Sequence, residues 1–360
     1  MGSPTEVTRR SDLDFDGPFQ RTRRALVGVA AALVLVIGLP LAALWAVSPG
    51  TTSPIRDGEK QSVPGSVAET LLLELGGLEQ FVLIRGRDQT NPVLLLLHGG
   101  PGNPQAALFR AYNRELEDHF VVVNWDQRGA GRSYSNRVPA VSMTVEQLLA
   151  DTRELTRYLM QRFGKRRILL LGHSWGSYLG IRAAQRHPED YHAYVGVGQV
   201  ADQQRSEERS YRAVLERARA DGRGEAIRDL EQIGPPARGR YEEGLKGLGR
   251  QRRWVREFGG AAYGLCNREA LWLFAKPILL FREYRVRDKL LYLRGEAFSM
   301  AHLEEPMLDD DLTQSVPELR VPKELVIFER SAHLVRYEEV AKFHEVLVHR
   351  VRPLALQGDS

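Results

Sequence analysis

Short apolar runs alternating with helical stretches predict an α/β fold on a mostly parallel sheet, with a helical cap inserted late and one membrane-spanning helix in front. Three observations carry that expectation. The runs Val93–Leu97, Val121–Trp125, Ile168–Leu171 and Ala193–Val197 are short and nearly all apolar, as strands buried on both faces are. Helical segments lie between them, and such alternation implies a sheet covered on both sides. From about Ala201 to Asp311 the strand signal gives way to Arg- and Glu-rich sequence with helical spacing, as in SEERSYRAVLERARA and NREALWLFAKPILLFREY.

In chain order, residues 1–24 read as a cytoplasmic tail and residues 25–47 as a transmembrane helix. The uncharged run LVGVAAALVLVIGLPLAALWAV covers the 22 residues from Leu26 to Val47. At helical rise it spans about 33 Å, enough for a hydrocarbon core of roughly 30 Å. Pro40 only kinks such a helix. Arg21, Arg23 and Arg24 precede it, Arg9 and Arg10 lie further back, and only Arg56 and Lys60 follow closely. That bias places the N-terminus in the cytoplasm and the body outside, in a single-pass cell-membrane protein. A cleaved signal peptide is the competing reading, but its apolar region is normally shorter and its charged leader does not run for 24 residues.

Residues 48–65, SPGTTSPIRDGEKQSVPG, have the composition of a linker. The core then occupies 66–200. Leu71–Leu75 and Phe81–Arg85 flank Gly76-Gly77 as a hairpin, and a helix runs from a capping box at Thr144 and Gln147 to Phe163, before Gly164. The cap takes 201–311. Residues 312–360 return to the core with an expected strand at Leu325–Phe328 and a final amphipathic helix near Tyr337–Val351.

Composition narrows the function. Fifty basic against 46 acidic residues leave a net charge of +4, a mixed surface without the concentrated basic face of a nucleic-acid binder. The lone Cys266 excludes an internal disulfide framework and a cysteine-clustered metal site, and reads as a small buried apolar residue.

Gly172-His173-Ser174-Trp175-Gly176 follows an apolar strand and opens a helix. A serine on so tight a turn projects its hydroxyl above the sheet, with the helix N-terminus supplying a positive dipole beside it. Ser174 is the candidate nucleophile. Acyl transfer also needs two backbone N–H groups aimed at the developing oxyanion. Trp175, after the serine, and Gly100, in the turn His98-Gly99-Gly100-Pro101-Gly102, are the candidates. Of nine histidines, His333 sits between the last expected strand and the last helix, the place for a general base. His344 and His349 lie on the last helix as surface or packing residues, and His98 and His173 belong to their turns.

These motifs together resemble the proline iminopeptidase family of α/β-hydrolases. The resemblance rests on HGGPG at 98–102, DQRGAGRS at Asp126–Ser133, GHSWGS at 172–177 and SAH at Ser331–His333. It implies an α/β-hydrolase fold and hydrolysis of substrates with a free N-terminal residue, often proline, through an acyl-enzyme without metal or cofactor. It also implies that carboxylates of the cap hold the substrate amine, for which Glu207, Glu208, Glu283 and Glu296 are available. Asp126 and Arg128 of the DQRG turn read as a loop-bracing ion pair.

One part of the family pattern is missing. A Ser–His pair needs a third group to hold the imidazole tautomer, and in the family an aspartate does so from a turn after its own strand. Here Val316-Pro317-Glu318-Leu319-Arg320-Val321-Pro322 leads directly into the last expected strand, as though strand, acid turn and helix were deleted together. Asp202 at the end of a neighbouring strand is the preferred substitute, with Asp309-Asp310-Asp311 and Glu329 as further candidates. Loss of the acid alone costs roughly 10⁴-fold in turnover, leaving a slow hydrolase. The sequence therefore predicts a membrane-anchored serine hydrolase acting on a peptide or a small amide or ester. An esterase or lipase stays open because the cap sets the substrate, and so does a catalytically impaired relative.

Overall fold

The computed structural model describes residues 22–24, 26–29, 34–263, 267–313 and 322–358. The chain divides into two units, Met1–Val47 and Ser48–Ser360. In the first, a π-helical turn at Val34–Gly38 continues into an α-helix at Leu39–Ala46. The expected transmembrane segment lies partly outside the described residues. Among those described, no helix is long and apolar enough to cross a membrane.

The second unit is built on a six-stranded sheet: β1 (Val67–Leu75), β2 (Leu78–Gly86), β3 (Val93–Leu97), β4 (Val121–Trp125), β5 (Ile168–His173) and β6 (Tyr191–Val197), in the order β1-β2-β4-β3-β5-β6. β1 and β2 pair antiparallel from Val67↔Gly86 to Leu75↔Leu78, and β2 pairs antiparallel with β4. The remaining pairs are parallel. Strands β3 and β4 are buried throughout, as their uninterrupted apolar sequences require, because helices cover both faces. On one face pack α2 (Val145–Phe163) and α3 (Trp175–Arg186). The other face receives Phe343, Leu347, Val351 and Ala355, a stripe at four-residue spacing on the C-terminal helices, together with Phe109 of α1 (Ala106–Tyr112).

The sequence signals for α2 hold in detail. The Thr144 hydroxyl accepts the Gln147 N–H at 3.1 Å, and Gly164 closes the helix in the left-handed conformation at φ 60°. Gln147 sends its side chain to Asp151 (2.8 Å), so the reciprocal half of the capping box is not made. Helices α4 (Gln203–Ala220), α5 (Gly224–Ile233), α6 (Leu245–Glu257), α7 (Asn267–Leu280) and α8 (Val286–Leu308) follow β6. The two ends of this helical stretch are clipped together by the Leu312 N–H on the Ala201 carbonyl (2.7 Å) and by a bridge between Asp202 and Asp311.

Two expectations need revision. Leu325–Phe328 is not a strand: no strand occurs among the described residues after β6, and Leu325 and Ile327 are 84% and 59% exposed. A single strand gains no ladder without a neighbour, and among the described residues no strand stands beyond β6 to pair with it. Among the described residues β6 is the sheet edge. Residues 48–56, whose composition reads as a free linker, lie along the body. The Ser53 carbonyl accepts from Arg85 (2.7 Å), the Gly50 carbonyl accepts from Arg132 (2.7 Å), and Thr52 donates to buried Glu283 (2.8 Å). Ile55 is buried.

Candidate active site

β5 runs buried to His173, the chain reverses at Ser174, and α3 begins at Trp175. Ser174 takes φ 54° and ψ −121°, a region that L-residues enter only when the surroundings hold them there. The flanking glycines explain how. A Cβ at Gly172 would run into the Gly176 carbonyl, and one at Gly176 into the Leu97 carbonyl. The Ser174 N–H donates to the Val197 carbonyl (2.9 Å), tying the elbow to the end of β6. The Ser174 carbonyl accepts from the Ser177 N–H (2.8 Å) and hydroxyl (2.6 Å). The Trp175 N–H is one of the leading amides of α3, which have no partner within their own helix.

The glycine-rich turn lies directly against this elbow. A Cβ built on Gly99 would stand 3.2 Å from the Ser174 Cβ and 3.1 Å from the His173 Nδ1. Gly100 follows at φ 114°. The turn is braced from below by Gln127. Its N–H donates to the His98 Nε2 (3.0 Å), its side-chain amide donates to the His98 carbonyl (3.1 Å), and its Oε1 accepts from the Trp175 indole (3.1 Å). With Nε2 accepting, the His98 proton resides on Nδ1, facing the Gly99 carbonyl at 2.9 Å. Burial pushes His98 down to about 4, so it stays neutral.

His333 lies beside the same elbow. Its ring faces Gly198, where a Cβ would stand 3.1 Å from Cε1 and 3.3 Å from Nδ1. Its ring centroid is 4.7 Å from that of His173, whose Nε2 donates to the His333 carbonyl (2.9 Å). Gln105 continues the chain, meeting His173 Nδ1 at 3.2 Å on one side and accepting from buried Arg336 on the other. His333 is exposed as a residue, while Gly198 and the His173 ring lie against its imidazole. Desolvation first, then the Arg336 and Arg252 cations, hold it below the usual histidine range. Among the described residues no hydrogen bond or ion pair reaches the Ser174 hydroxyl or the His333 ring; such contacts are often long before substrate binds.

The candidate acids are engaged elsewhere. Asp202 caps α4 by accepting the Arg205 N–H (2.9 Å), Asp309 accepts from Arg240 (2.7 Å), and Asp310 pairs with Arg182 and Tyr178. Asp311 accepts the Thr313 N–H (2.8 Å), and exposed Glu329 pairs with Lys342 (2.6 Å). The Asp126–Arg128 ion pair is not formed either. Arg128 pairs with fully buried Asp151 (2.9 Å), while Asp126 accepts from the Tyr284 hydroxyl (2.5 Å) and the Arg132 N–H (2.9 Å). Burial raises Asp126 to about 7. Both residues do brace their loop, each through another partner.

Of the four carboxylates considered for an amine, Glu283 is committed to Thr52 and to Arg110 at 3.9 Å, and Glu208 is half-buried on α4. Glu296 accepts from Asn103 (3.0 Å), next to the glycine-rich turn. Glu207 is buried, bonded through Oε1 to Gln203 (2.7 Å) and Arg252, and its Oε2 has no hydrogen-bond partner among the described residues. Sequence reading missed Glu304, which burial and the nearby Glu207 charge push up to about 7. The available signal was spacing: Glu296, Met300 and Glu304 recur at four-residue intervals along one stripe of α8. Gln127 and Arg336 were also missed, because their roles are fixed by contacts across the fold. Among the described residues, the single group of metal-ligating side chains within mutual reach, His187, Glu189 and Asp190, lies at the opposite end of β6 from Ser174, where Arg157 stands 3.5 Å from Asp190.

Sheet order, strand-to-helix elbow and helical insertion after β6 define an α/β-hydrolase, and the comparisons agree. The family model described as alpha/beta hydrolase fold matches residues 92–233. The "Probable aminopeptidase YbaC" of Bacillus subtilis is 35% identical over 257 residues, which is 71% of this chain and 79% of that protein. A "Probable proline iminopeptidase" of Streptomyces coelicolor is 41% identical over 98 residues, 26% of this chain and 28% of its own length. Among solved structures, proline iminopeptidase of Mycobacterium smegmatis superposes with a TM-score of 0.55 at 17% identity, covering 81% of this chain and 100% of that one. The chain belongs to the proline iminopeptidase-like family of α/β-hydrolases.

Proposed function

We propose that this protein is a membrane-anchored serine aminopeptidase, with Ser174 as nucleophile and His333 as general base. His333 takes the Ser174 proton as the hydroxyl attacks the scissile carbonyl, and the Gly100 and Trp175 N–H groups receive the oxyanion. His333 then gives the proton to the leaving amine, and water hydrolyses the acyl-enzyme by the same route. The observation that carries this reading is the backbone of Ser174, held at positive φ with the glycine-rich turn on one side and His333 beside it. The unpartnered Oε2 of Glu207, with Glu304 and Glu296 along α8, offers acceptors for a substrate ammonium, which favours a free N-terminus over a lipid ester.

Among the described residues no carboxylate bonds the His333 ring, which supports a slow enzyme within this class, without tautomer control. Ser174→Ala should abolish hydrolysis of alanyl and prolyl anilides while changing stability by well under about 1 kcal/mol. Undiminished turnover in that variant would sink the assignment. The anchor reading rests on the uncharged run Leu26–Val47 and the arginines before it. Expressed in a bacterium, the full chain should sediment with membranes, and recovery of a soluble form beginning near Ser48 would count against it.

A further inference from the structure

The outer surface of α7 and of the first turns of α8 carries large, exposed apolar side chains. Trp272, Leu279 and Leu280 are 58%, 45% and 58% exposed. The inner side chains of α7, Leu273, Phe274 and Ile278, fill the cluster around Phe281 and Tyr284. Leu290 and Leu293, at three-residue spacing on α8, are 68% and 72% exposed. The two helices meet at Lys289, whose ammonium donates to the Leu279 carbonyl (2.7 Å). Lys276, Arg282, Arg285, Arg287 and Arg294 are exposed around these residues. Three acids of this stretch are engaged elsewhere: Glu283 is buried, Asp288 accepts the Arg285 N–H (2.8 Å), and Glu296 accepts from Asn103. Of the acids on α7 and the first turns of α8, only Glu269, at the start of α7, is exposed, and an apolar face rimmed mainly by cations suits the boundary of an anionic bilayer.

On the anchor reading, the path of the chain after the apolar run would bring this face near a membrane. The same Lys289 ammonium donates to the Ser48 hydroxyl (2.7 Å), the Gly50 N–H donates to the Arg282 carbonyl (2.9 Å), and Arg282 donates to the Thr51 carbonyl (3.1 Å). Ser48 is the residue directly after the uncharged run that ends at Val47. Whatever holds that run in lipid therefore begins one peptide bond from the α7–α8 corner.

We propose that the α7–α8 corner docks on the bilayer surface, with Leu279, Leu280, Leu290 and Leu293 in the headgroup–acyl boundary and the surrounding Arg and Lys side chains on anionic headgroups. This rests on the anchor reading. It adds to it that the cap is held at two points, so the catalytic unit keeps a fixed orientation on the membrane. The arginine and lysine stems add apolar cover while their charges stay in the headgroup layer.

The test uses the full chain with Cys266→Ser, reconstituted in phosphatidylcholine–phosphatidylglycerol nanodiscs and spin-labelled through single cysteines. Leu279→Cys and Leu290→Cys probe the corner, Leu35→Cys the apolar run, and Val141→Cys, 89% exposed, serves as the aqueous reference. Accessibility to oxygen and to a water-soluble nickel chelate is read by power saturation. The proposal predicts that labels at 279 and 290 gain oxygen and lose nickel accessibility relative to 141, and that adding Leu293→Glu returns them towards the reference. Labels at 279 and 290 as nickel-accessible as 141, with 35 in lipid, would overturn the docking and leave the anchor standing. A label at 35 that also reads as aqueous would overturn both. Labels at 279 and 290 shielded from both reagents overturn the docking too, assigning the face to a second copy if dipolar broadening appears and to the chain's own N-terminal run if it does not.

Discussion

At the residue scale, the elbow was legible because its chemistry is local. Gly172, Ser174 and Gly176 are demanded by one turn, and a strand before and a helix after are visible in the same fifteen or so residues. The partners of buried charges were not legible. Arg128 sits two residues from Asp126 but bonds Asp151 on α2, and nothing in the spacing could reveal that. The same limit applies to the triad acid. His333 turns Nδ1 and Cε1 towards Gly198, and Asp202 spends its carboxylate on the first turn of α4. Asp202→Asn should therefore leave turnover unchanged, and stability as well, because Asn caps a helix about as well as Asp. Gly198 is the position that faces the ring, close enough that a side chain there would make the imidazole give by a few tenths of an ångström. It has φ 57°, a left-handed conformation that Asp and Asn tolerate better than other side chains. Gly198→Asp should raise turnover at least about tenfold by fixing the imidazole tautomer, and Gly198→Asn should not. Equal rates for the two variants, or a fall of about 10³–10⁴-fold on Asp202→Asn, would show that the acid has been misplaced.

At the element scale, sequence reading succeeded where a segment carries its own partners. β1 and β2 close on each other through Gly76-Gly77, and α2 brings its own N-cap and C-cap. It failed at Leu325–Phe328, where an apolar run resembles a strand but no neighbouring strand lies beside it among the described residues. The distinction has a measurable consequence. Leu325→Lys on a buried strand would cost several kcal/mol, whereas on an exposed segment it should change stability by no more than about 0.5 kcal/mol. Chemical denaturation of the variant decides between them, and a loss above about 2 kcal/mol would restore the strand.

At the scale of the whole molecule, residues that read as a tether prove to be part of the body. Arg85, Glu117, Arg110, Glu283 and Thr52 form one buried polar network, and Arg85 reaches the Ser53 carbonyl through it. Composition alone could not show this, because Pro, Gly, Ser and Thr describe a chain without helix or strand, docked or free. The helical cap was legible as a change of period after β6, but its carboxylates acquire meaning only once α8 brings Glu296 against Asn103 of the glycine-rich turn and Glu304 near Glu207 of α4. What unites these scales is the claim that Ser174 is an activated nucleophile. It is tested most directly by treating the full chain with a fluorophosphonate and locating the adduct by mass spectrometry across pH. The adduct should fall on Ser174 alone and vanish in both Ser174→Ala and His333→Ala. Because His333 acts as a base only when neutral, and desolvation with Arg336 and Arg252 holds it below the usual histidine range, the labelling rate should stay high through pH 6.5. It should fall only under more acidic conditions. An absent adduct, an adduct on another serine, or labelling indifferent to His333→Ala would contradict the account.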